Sequence, residues 1–296
     1  MSMKTNLKGI LEGSGFAVLA AAPAVCGTDL SAVSDFARLL KGKVTAVFAA
    51  DNPGARVSAS ALAVSVKLLA EGVEPVLCMT TRDRNRLALE SDLLGAGALG
   101  IANVQIVNGA HPSLGSHPSA HRVYDVDAVQ WIAAATRIAS EKTLISGEAV
   151  SGDPSFFIGA AANPFVKTPE LHLPVLKKKV AAGARFLVTA PVFDAARLAT
   201  WLDNLKKSGV TCPVIATVAV LPDAATARHL ARAGRGMAIP DSVIARIEKA
   251  GDKSLDEAIA VAVENIQAVK ALPGIRGVAI IAPGSETAIP RVMEAI

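Results

Sequence analysis

Histidine and carboxylate side chains gather in one segment of the chain, where His111, His117 and His121 are followed by Asp125 and Asp127. Imidazole and carboxylate groups are the usual ligands of zinc and related metals. The intervals between these residues, however, match none of the spacings that mark metal-binding motifs. We therefore predict no metal site, and we interpret the segment as a loop whose histidines form hydrogen bonds or contact a substrate.

A second polar pair, Asp51 and Asn52, follows directly after an apolar run. Side chains at such a position can bind a hydroxyl or amide group of a substrate. They can equally cap the helix that follows, because both residue types accept hydrogen bonds from free N–H groups at a helix start. The residues alone favour neither interpretation.

Basic residues form one short run, Lys177, Lys178 and Lys179, within a helical pattern. Charged runs on helices are usually solvated faces. The same ammonium groups can also hold a phosphate or another anion, because lysine presents a compact point charge. Both interpretations of this run stay open at the level of composition and spacing.

Three glycines, Gly95, Gly97 and Gly100, have the GxGxxG spacing of a dinucleotide-binding loop. That loop follows a strand and opens a helix, whereas these glycines close a helical pattern and precede an apolar run. We therefore interpret them as a helix C-terminus, where glycine is favoured. The chain has no GxSxG sequence and no recognisable Cys–His arrangement, so nucleophilic hydrolysis is unsupported.

The composition is typical of a protein with a large buried core. Of 296 residues, 51% are hydrophobic, 19% are charged and 4% are aromatic, and the formal net charge is +4. Basic runs interleaved with aromatic residues are absent, so we predict no nucleic-acid partner. The apolar stretches are too short to span a bilayer, and Cys26, Cys78 and Cys212 form no disulfide framework. We expect a cytoplasmic protein without membrane insertion, whose thiols are free and mostly buried.

Eight apolar runs have the length of buried strands, and a helical pattern follows each of them. Such repeated units predict an α/β protein folded as a single (β/α)₈ TIM barrel, with residues 1–296 forming one domain and the site at the C-terminal strand ends. A short additional helix is predicted over Asp241–Lys249, with Asp241 as its N-cap. The predicted strands are residues 16–20, 44–49, 75–79, 104–107, 156–161, 186–189, 213–218 and 278–282. The predicted helices are residues 30–40, 58–70, 84–99, 126–140, 170–182, 195–208, 224–233 and 254–272.

Residues 79–86, MTTRDRNR, and residues 91–96, SDLLGA, closely resemble a segment of the methylenetetrahydrofolate reductase family. The similarity continues in order through residues 111–118, 159–165, 178–184, 189–194 and 238–248, and thus covers nearly the whole chain. The pattern is most similar to the short forms from acetogenic and related bacteria. The resemblance implies a barrel that binds a flavin, FAD or FMN, at the strand C-termini. It also implies hydride transfer between the reduced flavin and methylenetetrahydrofolate.

The resemblance implies partners and ligand-contacting positions as well. A folate or related pterin would be the substrate, and an electron-transfer or methyltransferase protein could be a partner. The implied substrate-contacting residues are Asp51, Asn52 and Phe193. The implied cofactor-contacting residues are Thr80, Arg82, Asn108, Gly109, His111, Ala162, Asn163, Lys178 and Lys179.

Most of the family's catalytic positions, in contrast, are occupied by alanine. The acidic residue that protonates the pterin corresponds to Ala21, and the aspartate near flavin and pterin corresponds to Ala110. The folate-contacting glutamine corresponds to Ala190, and the threonine that ends the second strand corresponds to Ala50. No catalytic residue of the family is therefore matched.

Three hypotheses about function follow. The chain could be a working reductase in which water or a group such as His111 supplies the proton. It could instead be a non-catalytic or repurposed member that binds a folate, a flavin or another one-carbon carrier, or that serves as a subunit of a partner enzyme. It could finally be an enzyme with altered chemistry on a less polar ligand, because alanines widen and dry a pocket.

Overall fold

The computed structural model describes residues 5–166, 168–232 and 237–296, and its centre is a closed barrel of eight parallel strands. Each strand pairs with the next along the chain, and β8 pairs with β1 to close the ring. The predicted TIM barrel is thus confirmed. The strands are β1 (Ala17–Ala21), β2 (Ala46–Ala49), β3 (Pro75–Thr80), β4 (Asn103–Val107), β5 (Phe157–Ala162), β6 (Phe186–Pro191), β7 (Val214–Ala219) and β8 (Ile275–Ile281).

All the predicted helices are present, and the described residues contain two further helices at the two ends of the chain. The predicted N-cap of the helix at 241–249 is wrong, because Asp241 is the first helical residue and Pro240 occupies the N-cap. The helices are α1 (Asn6–Glu12), α2 (Ser31–Leu40), α3 (Ala61–Ala70), α4 (Arg86–Ala98), α5 (Ala128–Glu141), α6 (Pro169–Ala181), α7 (Ala195–Lys207), α8 (Ala224–Arg232), α9 (Asp241–Lys249), α10 (Ser254–Lys270) and α11 (Ile289–Glu294).

Alternate residues of each strand point into the barrel, because side chains on a strand alternate between its two faces. The rings of Phe157 and Phe186 stack inside the barrel with their centroids 5.1 Å apart. Gly159 leaves the space that this pair needs, since a Cβ atom there would lie 2.2 Å from the Phe186 ring. The barrel centre is therefore a packed core, and a ligand has to bind above it.

Helix α1, which the sequence did not predict, closes the N-terminal end of the barrel. Leu7 and Leu11 are buried in the same cluster as the inward-facing strand residues. The Glu74 carboxylate accepts hydrogen bonds from the backbone N–H groups of Asn6 at 2.7 Å and Leu7 at 3.0 Å. Anionic groups stabilise a helix N-terminus because its first N–H groups are free. This end is thus occupied by packing, and the C-terminal end is left for function.

Two smaller predictions can be compared with the structure. Gly100 follows α4 with a φ of +83°, as expected for a glycine that ends a helix. Cys78 is buried, but Cys26 is exposed, so the expectation of mostly buried thiols is wrong for Cys26. Burial raises the pKa of the half-buried Cys212 thiol to about 12.

No helix within the described ranges is long and apolar enough to span a membrane.

Candidate functional site

A cavity of about 680 Å³ lies at the C-terminal mouth of the barrel. Its walls come from the loops after β1, β2, β4 and β8 and from α8. Three of the four alanines at the family's catalytic positions line it, namely Ala21, Ala50 and Ala110. The fourth, Ala190, is half-buried near the end of β6 and is not part of this lining. The mouth therefore has space for a ligand but presents methyl groups where the resemblance implies an acid, a hydroxyl and a carboxylate.

Asp51 is bound within the protein and does not cap the helix that follows, whose N-cap is Ser60, while its contact with a substrate stays a prediction. Its Oδ2 atom accepts hydrogen bonds from the Thr80 backbone N–H at 2.8 Å and the Thr80 hydroxyl at 3.0 Å. The Arg84 guanidinium donates to both carboxylate oxygens, at 3.0 and 2.9 Å. Because the Asp51 side chain is 2% exposed, this ion pair ties the end of β2 to the end of β3. The Thr80 hydroxyl belongs to the same network, because it donates its hydrogen bond to Asp51.

Asn52 adopts a left-handed conformation with a φ of +44°. Its Oδ1 atom accepts a hydrogen bond from the Ser58 N–H at 3.1 Å, and its amide donates to Asp83 at 3.4 Å. It therefore shapes the β2–α3 loop, whereas the side chain that caps α3 belongs to Ser60.

Arg82 connects the loop after β3 to the loop after β4. Its guanidinium binds the Asp83 carboxylate, with Nε to Oδ1 at 2.6 Å, and donates from Nη1 to the Ala110 carbonyl at 3.0 Å. The hydrogen bonds to Arg82 lower the pKa of Asp83 and raise the pKa of Arg82. Gly109, with a φ of +82°, packs where a Cβ atom would lie 3.1 Å from Arg82 Nη1. Arg82 is buried, whereas the side chain of its partner Asp83 is 34% exposed, and the hydrogen bond from Arg82 to the Ala110 carbonyl holds Ala110 at the cavity wall.

Asn108 and Asn163 also use their side-chain oxygens within the protein. Asn108 Oδ1 accepts a hydrogen bond from the Ala128 N–H at the start of α5, at 3.1 Å. Asn163 Oδ1 accepts from the Phe165 N–H at 2.9 Å. The Asn163 N–H in turn donates to His172 Nε2 at 3.0 Å. Burial lowers the pKa of His172, which agrees with a neutral ring that accepts at Nε2.

Only one lysine of the basic run lies inside the protein. Lys177 and Lys178 are exposed, whereas Lys179 is buried and donates from Nζ to the Ala161 carbonyl at 2.7 Å. No carboxylate forms an ion pair with Lys179 in the part of the chain that the structure describes. Burial therefore lowers its pKa, because the charged form is poorly solvated. Lys177 and Lys178 thus form a solvated face, and Lys179 is a buried cation at the end of β5, while the contact with an anion stays a prediction.

The remaining predicted residues are spread around the mouth. His111 is exposed and shares a 2.7 Å hydrogen bond with the Ser113 hydroxyl. His117 and His121 are also exposed, and no three His, Cys, Asp or Glu side chains among the described residues form a cluster that could hold a metal ion. Ala162 is buried in the outer core cluster, and Phe193 is half-buried in the short loop between β6 and α7.

Three charged or titratable residues of the cavity lining were not among the predicted ligand-contacting residues, namely Arg56, His229 and Glu286. Glu286 lies in the loop after β8 and is half-buried, whereas Arg56 and His229 are exposed. The available signal was their position after β2, β7 and β8, since loops at strand C-termini form the site in this fold. Their types and spacing carry no motif.

Comparisons with known proteins place the chain in context. The family model described as methylenetetrahydrofolate reductase matches residues 31–296. No significant match was found among curated proteins. One similar solved structure is that of a Clostridium thermocellum protein that binds two copies of 5-methyl-5,6,7,8-tetrahydrofolic acid. It has a TM-score of 0.62 and 11% sequence identity, over 98% of this chain and 97% of that chain.

Two further solved structures share the architecture. The first, 2,3-dimethylmalate lyase of the PEP mutase/isocitrate lyase superfamily, has a TM-score of 0.53 and 13% identity, over 99% of this chain and 85% of that chain. The second, phosphonopyruvate hydrolase, has a TM-score of 0.56 and 12% identity, over 100% and 84%. At these identities, all three structural similarities concern the fold alone.

Proposed function

Because the chain belongs to the methylenetetrahydrofolate reductase family, we propose that its barrel binds a reduced folate in the mouth cavity. The observation that carries the proposal is the cavity itself, which is open at the functional end of the barrel and measures about 680 Å³. Ligand sites of this kind are concave and mostly apolar, with few polar groups. The folate-binding Clostridium thermocellum protein supports the same ligand class, since it shares the fold.

The second part of the proposal is that the acid-assisted reductase reaction has been lost. Opening the methylene bridge of the substrate requires a proton donor beside the pterin. The wall positions where the family places acidic residues are Ala21 and Ala110, and the nearby carboxylates of Asp51 and Asp83 are held in ion pairs. Loss of a general acid typically slows a reaction about 10²- to 10⁴-fold. The chain would then bind a folate without efficient turnover.

A flavin-dependent reductase is the second candidate function, and Lys179 is the observation that favours it. No carboxylate among the described residues pairs with its buried ammonium, and the phosphate of a flavin nucleotide would supply a counter-charge. Lys179 would hold that phosphate, and the Asn163 amide nitrogen lies on the neighbouring loop. When bound, a flavin supplies the hydride for reduction of the methylene carbon. The described residues single out no surface for a protein partner, so both candidates concern small ligands.

Calorimetric titration with 5-methyltetrahydrofolate tests the proposed function. We expect the wild-type protein to bind and an Ala21→Phe variant to bind at least about tenfold more weakly, because the larger ring fills the cavity. Ala181→Phe, at the exposed end of α6, is the matched control and should bind like wild type. A wild-type protein that takes up no reduced folate would contradict the proposal.

A visible absorption spectrum of the purified protein, before and after addition of FAD or FMN, separates the two candidates. The second candidate requires a flavin band near stoichiometry, lost in Lys179→Met, and oxidation of methyltetrahydrofolate with an artificial acceptor. The first candidate, a folate-binding protein, requires folate binding with turnover slowed about 10²- to 10⁴-fold. Rapid turnover by the wild-type protein would rule out the loss of the acid-assisted route.

A further inference from the structure

The charges around the mouth cavity are arranged asymmetrically. Glu286 provides a carboxylate in the loop after β8, and Arg56 provides a guanidinium in the loop after β2. The wall between them comes from β1, which pairs with both β8 and β2, and it consists of Ala21, Ala22 and neighbouring apolar residues. Arg56 lies seven residues beyond the end of β2 and Glu286 five residues beyond the end of β8, so the two charges stand on opposite sides of the β1 wall. The cavity thus offers an acceptor at one side, an apolar middle and a cation at the other.

Glu286 has free hydrogen-bonding capacity. Its Oε1 atom accepts one weak hydrogen bond from the Gly284 N–H at 3.3 Å, and no described residue donates to Oε2. The other carboxylates near the mouth differ, because Asp51 and Asp83 are bound to arginines. A carboxylate is a strong acceptor for two parallel N–H donors. A pterin ring carries such a pair in its N3–H and 2-amino groups.

Arg56 is held in place by its neighbours but has no side-chain partner among the described residues. The carbonyl of Ala55 accepts a hydrogen bond from the Ser116 N–H at 3.1 Å, and the Val57 N–H donates to the Ser116 hydroxyl at 3.2 Å. These two bonds fix the backbone on both sides of Arg56 against the loop after β4. Its exposed guanidinium is therefore available to a ligand carboxylate, which it can bind through two N–H groups.

From this arrangement we infer that a bound folate lies with its pterin ring against Glu286 and its glutamate carboxylates at Arg56, an orientation that rests on the proposed function. The pterin donors meet the one free carboxylate of the described lining, the aminobenzoyl group crosses the alanine wall, and the anionic tail reaches the cation. The reverse orientation would place the tail carboxylates beside Glu286, where like charges repel. Glu286 is thus the residue that selects a 2-amino-4-oxo pterin head.

Two ligand fragments test the orientation in titrations with the full-length protein. The probes are 6-methyltetrahydropterin, which lacks the tail, and 5-methyltetrahydrofolate, which has both ends. Glu286→Gln should weaken binding of both probes about 10- to 100-fold, because it removes a hydrogen-bonded charge. Arg56→Gln should weaken binding of the folate roughly two- to fivefold in a salt-sensitive manner, and it should leave the pterin fragment unaffected.

Matched controls remove equivalent charges away from the mouth. Glu294 in α11 and Lys207 at the end of α7 are both exposed. The variants Glu294→Gln and Lys207→Gln should therefore bind each probe like the wild-type protein. The orientation is overturned if Glu286→Gln binds the pterin fragment normally, or if Arg56→Gln weakens the fragment as much as the folate. Thermal unfolding of each variant checks that the fold is retained. Failure of the wild-type protein to bind either probe would instead overturn the proposed function, and the orientation with it.

Discussion

Asp51 illustrates how a polar residue at the barrel mouth can serve the scaffold and not a ligand. Its carboxylate receives two hydrogen bonds from Thr80 and two from Arg84, so its acceptor positions are occupied. Arg82 is likewise occupied within the protein, because its guanidinium donates hydrogen bonds to the Asp83 carboxylate and to the Ala110 carbonyl. The polar residues after β2 and β3 thus hold loops together, while the alanines beside them form the cavity wall.

Substitution Asp51→Ala should be strongly destabilising. Without the Asp51 carboxylate, the buried N–H and hydroxyl of Thr80 lose their acceptor, and Arg84 keeps only its more exposed ion pair with Asp92. We therefore expect a loss of about 2–4 kcal/mol in the free energy of unfolding. The side chains of Asp51 and Arg84 are 2% and 20% exposed. Urea denaturation followed by circular dichroism measures the loss.

Asp35→Ala is the control for this variant, because the Asp35–Arg38 pair is 69% and 60% exposed. Exposed pairs contribute at most about 1 kcal/mol, so this variant should unfold nearly like wild type. If both variants lost the same free energy of unfolding, the buried network at the mouth would contribute no more to stability than an exposed ion pair does.

At the scale of elements, strand β5 depends on a residue without a side chain. Gly159 faces the stacked Phe157 and Phe186 rings, and a Cβ atom there would overlap the Phe186 ring. Gly159→Ala should therefore force the ring to move and lower the free energy of unfolding by about 1–3 kcal/mol. Chemical denaturation gives the value.

Gly95→Ala in α4 is the matched control, since nothing lies within 4 Å of a Cβ atom at Gly95. Alanine is the better helix former, so this variant should be unchanged or more stable by up to about 1 kcal/mol. If both variants behaved alike, the tight packing of the barrel interior would be disproved.

The loop after β4 is attached to α4 by Asp125. Its carboxylate accepts hydrogen bonds from the Arg86 backbone N–H at 2.9 Å and from Arg86 Nε at 2.7 Å. The hydrogen bonds from the Arg86 side chain and backbone are the main cause that lowers the pKa of Asp125 from 3.8 to about 2. Since the folded-state pKa is the lower one, the stabilisation is present above pH 3.8 and is lost as the pH falls towards 2.

The substitution Asp125→Asn should accordingly make the stability of the protein less dependent on pH in this acidic range. We expect the melting temperature of the variant to change less than that of wild type between about pH 4 and pH 2. Scanning calorimetry at several pH values provides the comparison, with Asp35→Asn as an exposed control. A variant that loses stability over this interval as steeply as wild type would contradict the role of the attachment.

At the scale of the whole molecule, the two ends of the barrel have separate tasks. Helix α1 closes the N-terminal end with Leu7 and Leu11, whereas the cavity opens at the C-terminal end. This division is general for the fold, in which loops at the C-terminal end carry function and the opposite end carries stability.

Leu11→Ala tests this separation. Leu11 is 2% exposed, so the substitution should leave a cavity and cost about 2–5 kcal/mol of unfolding free energy. Affinity for 5-methyltetrahydrofolate should stay at the wild-type value when measured where the variant is folded. Leu87→Ala, at a side chain that is 76% exposed, is the stability control. A Leu11→Ala variant that lost affinity while folded would show that the two ends are coupled.

The sequence by itself determined the eight strands, the barrel, the family and the alanines at the mouth. These features depend on local patterns, because buried parallel strands are continuously apolar and each is followed by a helical repeat. The sequence did not predict α1, because this seven-residue helix is stabilised by packing against the N-terminal end of the barrel.

Only the tertiary structure decided which polar residues are available to a ligand. Asp51 and Arg84 are 33 positions apart in sequence, and Lys179 meets Ala161 across 18 positions. The same is true of Arg56, His229 and Glu286, which line one cavity although they come from two loops and a helix that are distant in sequence. Whether a side chain is committed or free depends on such long-range pairings, and the residue types at either end do not specify them.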